Sequence, residues 1–316
     1  MHQTNIEYIS LTTDGSCLES SDRGLPGLNF RNFRSIKGVS WKGLQNYSEL
    51  NALKLVLDIN ATHLKTFELS ILACQYYQMD IDVEVPALRG NFISSSLLGL
   101  SDPDIKLQFP SLESLSLTGV ELSCTDINIQ AMISALNISA LRKLRFLDCT
   151  LVVPLIQAVL KAGVKLQLDS LELEIFENSS DGDILYQNTI STFLASFEGL
   201  KELYLYTNLA HRPSDIWAAL HCHRTTLERL VWHDRRNFFV DQEASCASDN
   251  SALYDMFSDK TQYPGQFPRL ESVGLGTNCS FKVNTGAPEE HNSTVADTRT
   301  SYRIFSIQAI CLSSIT

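Results

Sequence analysis

Leu141-Arg142-Lys143-Leu144-Arg145-Phe146-Leu147-Asp148-Cys149-Thr150-Leu151 is the stretch on which the reading of the whole chain turns. Leu144 and Phe146 alternate with polar neighbours, the period of a short strand with one face in a core. Cys149 falls where the chain must leave that strand and turn, and its polar atom can bond backbone groups that no ladder satisfies. Two other stretches repeat the arrangement. They are Leu200-x-x-Leu203-x-Leu205-x-x-Asn208 and Leu270-x-x-Val273-x-Leu275-x-x-Asn278, each with Asn eight residues after the first leucine.

Looser copies open at Ile6, Phe33, Leu64, Leu88, Leu112, Leu168 and Leu227. Ordered along the chain, the ten starts are separated by 27, 31, 24, 24, 29, 27, 32, 27 and 43 residues. Most of these lie close to the leucine-rich-repeat period of about 20–29 residues. Leu50-x-x-Leu53-x-Leu55 also fits the strand pattern but would split one repeat, so Leu50, Leu53 and Leu57 are read as one face of a connecting helix. Helical periodicity recurs between strands: Asp126 to Leu136 with Ile127, Ile129, Ile133 and Leu136, Pro154 to Ala162, and Thr189 to Phe197. A further helix opens at Pro213, with Ser214 as its cap and Trp217 and Leu220 inward.

One strand–helix unit cannot bury its own apolar face, whereas stacked neighbours can. The expected fold is therefore α/β, a leucine-rich-repeat solenoid with a curved parallel sheet on the concave side and helices on the convex side. Residues 1–278 form it, with an insertion at 234–265 that carries a helix over Ala252 to Phe257. Residues 279–316 form a polar, disordered tail or a C-terminal cap. Repeat-like sequence begins at Ile6 with no polar cap ahead of it, so a preceding segment or a partner is expected there.

Of 316 residues 44% are hydrophobic, ample for a core, and the net charge of −11 disfavours a nucleic-acid surface. Eight cysteines without a C-x-x-C pair read as reduced thiols packed as small hydrophobes. No basic stretch followed by an apolar one opens the chain, and no segment is long and apolar enough to span a bilayer. An intracellular place, cytoplasm or nucleus, is expected, and six N-x-S/T sequons are read as chance.

Phe109 to Leu122, Leu141 to Leu151, Ser196 to Leu205 and Thr226 to His233 together resemble a fungal F-box/leucine-rich-repeat family. The resemblance covers residues 6–278. It implies that the repeats select substrates for a ubiquitin ligase, while an N-terminal F-box docks the ligase scaffold. No L-P-x-E-type motif stands near the start, where Gly24-Leu25-Pro26-Gly27-Leu28 is turn-like. A ubiquitin-ligase scaffold is thus a partner only if an F-box lies upstream.

Little in the chain suggests chemistry. His221 and His223, with Cys222 and His233, do not make a set of four suitably spaced ligands, so no metal site is expected. Glu172 and Glu174 alternate on a solvated strand face, and Asp181-Gly182-Asp183 reads as a turn. There is no P-loop, G-x-S-x-G or G-x-G-x-x-G. No catalytic residue and no cofactor is expected.

Binding does point to residues. If the leucines face inward, the residues between them line the concave surface. Those singled out are Lys143, Arg145, Leu147, Glu172, Glu174, Tyr204, Tyr206, Arg229 and His233, with Tyr and Arg the types that anchor interfaces. The expected function is a protein-recognition module, the substrate-binding repeat part of an F-box-like adaptor. The alternatives are a free-standing repeat scaffold with no ubiquitin link, and an enzyme with its site near the 234–265 insertion.

Overall fold

The computed structural model describes residues 6–13, 30–44, 47–71, 92–100, 107–122, 125–175, 188–207, 213–234, 267–277 and 305–308. Short strands recur along them: β1 (Tyr8–Thr12), β2 (Gly38–Lys42), β3 (Thr66–Ser70), β4 (Ser114–Thr118) and β5 (Lys143–Leu147). The series continues with β6 (Ser170–Ile175), β7 (Glu202–Thr207), β8 (Arg229–Asp234), β9 (Ser272–Thr277) and β10 (Phe305–Gln308). All ten form one sheet in chain order. Strands β1 to β9 are parallel, and β10 lies antiparallel on β9 with Ile307 opposite Val273. The sheet is not closed: β1 and β10 are its two edges.

Register makes the core. Leu115, Leu144, Leu171, Leu203 and Leu230 stand opposite one another on successive strands, and so do Leu117, Phe146, Leu173, Leu205 and Trp232. All of these are buried. The residues between them on β4 to β7 are mostly only half-buried, because the alternation of a strand sends them to the other face.

Helices cover the leucine face. They are α1 (Tyr47–Asn60), α2 (Asp126–Ala135), α3 (Val152–Lys161), α4 (Thr189–Ala195) and α5 (Pro213–Leu220). Leu50, Leu53 and Leu57 of α1 are buried as the helical spacing requires. Helices α2, α3, α4 and α5 pack in sequence, each against the next. On α2 the inward stripe is Ile129, Met132, Ile133 and Leu136; Ile127, expected among them, is 83% exposed. Helix α5 starts at Pro213, which places Ser214 inside the first turn rather than at the cap.

One repeat boundary differs from the sequence reading. The second repeat opens at Ile36, not Phe33: Ile36 stands two residues before its strand, as Leu64, Leu112 and Leu141 do before theirs. Ile36 is completely buried, whereas Phe33 is only half-buried and packs against Phe30. The copy at Leu88 lies outside the described residues. Strand β3 bonds directly to β4, Phe67 opposite Leu115, so no strand stands between them. Phe92–Leu97 instead forms one wide π-helical turn against α1 and α2.

Polar pins join neighbouring repeats. Buried Asn60 accepts from the Ile36 N–H at 3.1 Å and donates to the carbonyls of Phe33 and Val56, each at 2.9 Å. Buried His223 accepts from the Leu200 N–H at 3.3 Å through Nδ1, while Nε2 donates to the Leu194 carbonyl at 2.9 Å. Burial pushes the His223 pKa below its ordinary value, against the opposing pull of the Leu194 bond and Glu198. This neutral tautomer is the one that both bonds require.

Cys149 plays the turn role expected of it. Its thiol reaches the carbonyls of Leu117 and Leu147, at 3.4 and 3.3 Å, and burial pushes its pKa up to about 12. The corresponding Asn208 and Asn278 lie outside the described residues, as do residues 235–265 of the insertion and 279–304 of the tail.

Candidate interaction face

The strand face opposite the helices is the candidate site. Parallel sheets in wound α/β folds are covered on both faces; among the described residues this one carries helices on one face and mostly polar side chains on the other. Each residue singled out in the sequence lies on that open face: Lys143, Arg145 and Leu147 on β5, Glu172 and Glu174 on β6, Tyr204 and Tyr206 on β7, Arg229 and His233 on β8. Lys143 and Arg229 are exposed, the others half-buried.

Neighbouring strands bring these side chains together. Arg145 Nε stands 2.9 Å from Glu172 Oε2, and the two are opposite in register. Arg229 pairs with Glu202, whose other oxygen accepts from the Ser170 hydroxyl at 3.2 Å. The rings of Tyr206 and His233, also opposite, lie 6.1 Å apart at 41°. Arg145 and Arg229 thus each stand beside a carboxylate of an adjacent strand.

A second cluster, not anticipated, lies toward the start. The Ser40 hydroxyl donates to Glu68 Oε2 at 2.6 Å, and Lys42 Nζ is 3.3 Å from Glu68 Oε1. Burial alone would raise the Glu68 carboxyl. The Ser40 bond and the Lys42 and Arg145 cations outweigh it and hold the pKa below the usual value. The signal was available: Ser40 and Glu68 each sit between two inward residues of their repeats. Phe33-x-x-Ile36, which imitates the opening of a repeat, hides it at Ser40.

The rim that leads into the sheet is wholly charged. Glu7, Lys37, Lys65, Glu113, Arg142, Asp169, Lys201, Glu228 and Glu271 each precede a strand by one residue. Every one after the first donates its N–H to the carbonyl of its predecessor, at 2.6 to 2.8 Å. Their side chains pair along the same rim: Lys37 with Glu7, Lys65 with Glu113, and Lys201 with Asp169.

The remaining polar candidates do not converge. His223 is sealed in the core with both ring nitrogens engaged by main chain, Cys222 is exposed, and His233 lies on the opposite side of the sheet. Among the described residues no group of three or more His, Cys, Asp or Glu is placed to hold a metal ion. Glu172 is committed to Arg145, and Asp181 and Asp183 lie outside the described residues. Among the described residues no helix is long and apolar enough to cross a membrane.

No family model matches the chain, and neither a curated protein nor a solved structure shows significant similarity to it.

Proposed function

We propose that the chain is a leucine-rich-repeat solenoid that recognises another protein on the concave, open face of its sheet, as the substrate-binding repeat part of an F-box-like ubiquitin-ligase adaptor. One observation carries the reading: a parallel sheet in strict chain order whose face away from the described helices bears in-register Arg, Glu and Tyr side chains. Helices on one face and short strands on the other make the helical side wider, which bends such a stack toward its strands. The bend gathers the open face into a cradle, the extended binding surface of repeat proteins. Tyr204, Tyr206, Arg145 and Arg229 supply the side-chain types that dominate interface energetics. The adaptor role rests on the resemblance of the repeats.

The test is affinity capture from a cell extract with the intact chain and with Arg145→Ala/Tyr204→Ala, compared by quantitative mass spectrometry. The expected result is a small set of proteins lost from the variant, and co-purification of a ubiquitin-ligase scaffold with both. An identical set on both chains would remove the open face as the binding surface. Loss of specific proteins without a ligase scaffold would leave the free-standing scaffold reading instead.

A further inference from the structure

The charges on the open face are sorted by sign along the sheet. Counting the rim residue and the outward positions, β1 to β5 carry Lys37, Lys42, Lys65, Arg142, Lys143 and Arg145 against three acids, Glu7, Glu68 and Glu113. Strands β6 to β9 carry Asp169, Glu172, Glu174, Glu202, Glu228 and Glu271 against two bases, Lys201 and Arg229. Both of those bases are held by Asp169 and Glu202, and Arg269 lies ahead of the rim on an exposed turn. The rim sets like charges side by side twice: at Lys37 and Lys65, each paired with a glutamate, and at Glu228 and Glu271 at the far end. Glu228 and Glu271 are adjacent rungs, joined by a 2.8 Å main-chain bond, and neither has an ion-pair partner among the described residues. Adjacent like charges raise the energy of the free chain, and a bound cation would relieve that.

Beside this acidic end the face has an opening. Gly274 on β9 is opposite Val231 on β8, with Tyr204 one strand further in. Its backbone is ordinary strand rather than left-handed, and a Cβ placed there would meet Val231 at 3.4 Å, an ordinary contact. Among the described residues neither crowding nor conformation requires glycine at this position. A strand glycine of that kind leaves room for another chain to approach closely.

We infer that the face binds an extended polypeptide segment of another protein, with basic residues over the acidic half at β6 to β9 and an aromatic or aliphatic side chain between Tyr204 and Gly274. The acidic remainder of the segment lies toward β1 to β5, so the sign division fixes which way round it is held. This rests on the protein-recognition reading and adds the chemistry of the partner. Nine strands about 4.8 Å apart span about 38 Å, which about 12 extended residues at about 3.3 Å each would cross.

Random dodecapeptides displayed on phage, selected on the immobilised full chain, test the inference. Recovered peptides are then measured by fluorescence anisotropy against the wild type, Glu228→Lys/Glu271→Lys and Tyr204→Ala, with circular dichroism confirming that each variant is folded. The expected peptides place Arg or Lys beside an aromatic or aliphatic residue at one end and acids at the other. Binding weakens about tenfold or more on rim reversal, and similarly when salt rises from about 50 to about 500 mM in the wild type. Peptides lost on Tyr204→Ala but indifferent to rim reversal and salt would overturn the charge assignment while leaving recognition on this face intact. Recovery of no peptide sensitive to Tyr204→Ala would overturn both.

Discussion

Asn60 and His223 hold the same place in their repeats: each stands four residues ahead of the leucine that opens the next strand, Leu64 and Leu227, and each bonds a main-chain N–H at the opening of the repeat before, Ile36 and Leu200. An amide and an imidazole thus do one job, satisfying a buried donor that no strand or helix ladder reaches. The pins fix the spacing of neighbouring repeats, and through it the register of the open face.

Replacing either pin leaves a buried N–H and one or two buried carbonyls stranded. His223→Leu and Asn60→Leu are each expected to cost about 2–4 kcal/mol. Being many repeats apart, the two losses add in the double variant to within about 0.5 kcal/mol. Urea unfolding monitored by circular dichroism measures all three. A loss below about 0.5 kcal/mol for both single variants would show that the bonds are not made.

The His223 pin also makes stability depend on pH in a defined direction. Its folded pKa is depressed below the ordinary 6.5, so the unfolded chain takes up the proton first. The stability it contributes is complete above 6.5 and is lost as pH falls from there through the folded pKa. Urea midpoints of the wild type should therefore fall relative to His223→Gln between pH 7.5 and pH 5, each value set by the experiment. A difference that stays constant across that range contradicts the buried neutral imidazole.

Much of this architecture was legible in the residues. The stretches at Leu141, Leu200 and Leu270 declare their strands, because alternation and turn chemistry coincide in a dozen residues. The same alternation sets each of the nine residues singled out from Lys143 to His233 beside a buried neighbour on β5 to β8. Phe33 misled because Phe33-x-x-Ile36 imitates the first half of the pattern, and only strand pairing shows that Ile36 opens the repeat. Ile127 misled because it is apolar yet stands two residues from Ile129, about 200° around the helix, and Met132 completes the buried stripe of Ile129, Ile133 and Leu136. Relations across repeats, such as Glu68 with Ser40 and Arg145 or the continuous charged rim, depend on register between distant strands. No local window contains them.

The corrected register has its own consequence. Ile36→Ala removes a completely buried side chain at the opening of a rung and is expected to cost about 2–5 kcal/mol, with Phe33→Ala costing distinctly less. Thermal and urea unfolding of the pair decide it. The reverse order would restore Phe33 as the opening residue.

Thiol chemistry separates Cys149 from Cys222. With its pKa raised to about 12 and its sulfur buried, Cys149 holds almost no thiolate near neutral pH, whereas Cys222 is exposed. Brief iodoacetamide treatment of the folded chain, followed by peptide mass mapping, should label Cys222 and spare Cys149 until denaturant is added. Equal labelling of the two in the folded chain contradicts the packing described.

Ion pairs on the open face contribute little to stability, being partly solvated. Arg229→Ala and Arg145→Ala are each expected to change the unfolding free energy by less than about 1 kcal/mol, although they remove the partners of Glu202 and Glu172. Urea titration checks this. A much larger loss would make these residues structural supports of the sheet.

The ordering of the strands is the claim on which face, rim and pins all depend, and distances between spin labels read it directly. Labels attached through p-acetylphenylalanine at Ser40 on β2 and at Glu172 on β6 or Val231 on β8 report how the sheet extends. In an open stack the backbone separations are about 19 Å and about 29 Å, rising with each strand inserted. Electron–electron resonance giving that lengthening series, less a modest shortening from curvature, is the predicted result. A β2 to β8 distance no longer than β2 to β6 would mean that the sheet closes or winds back, and it would contradict the account.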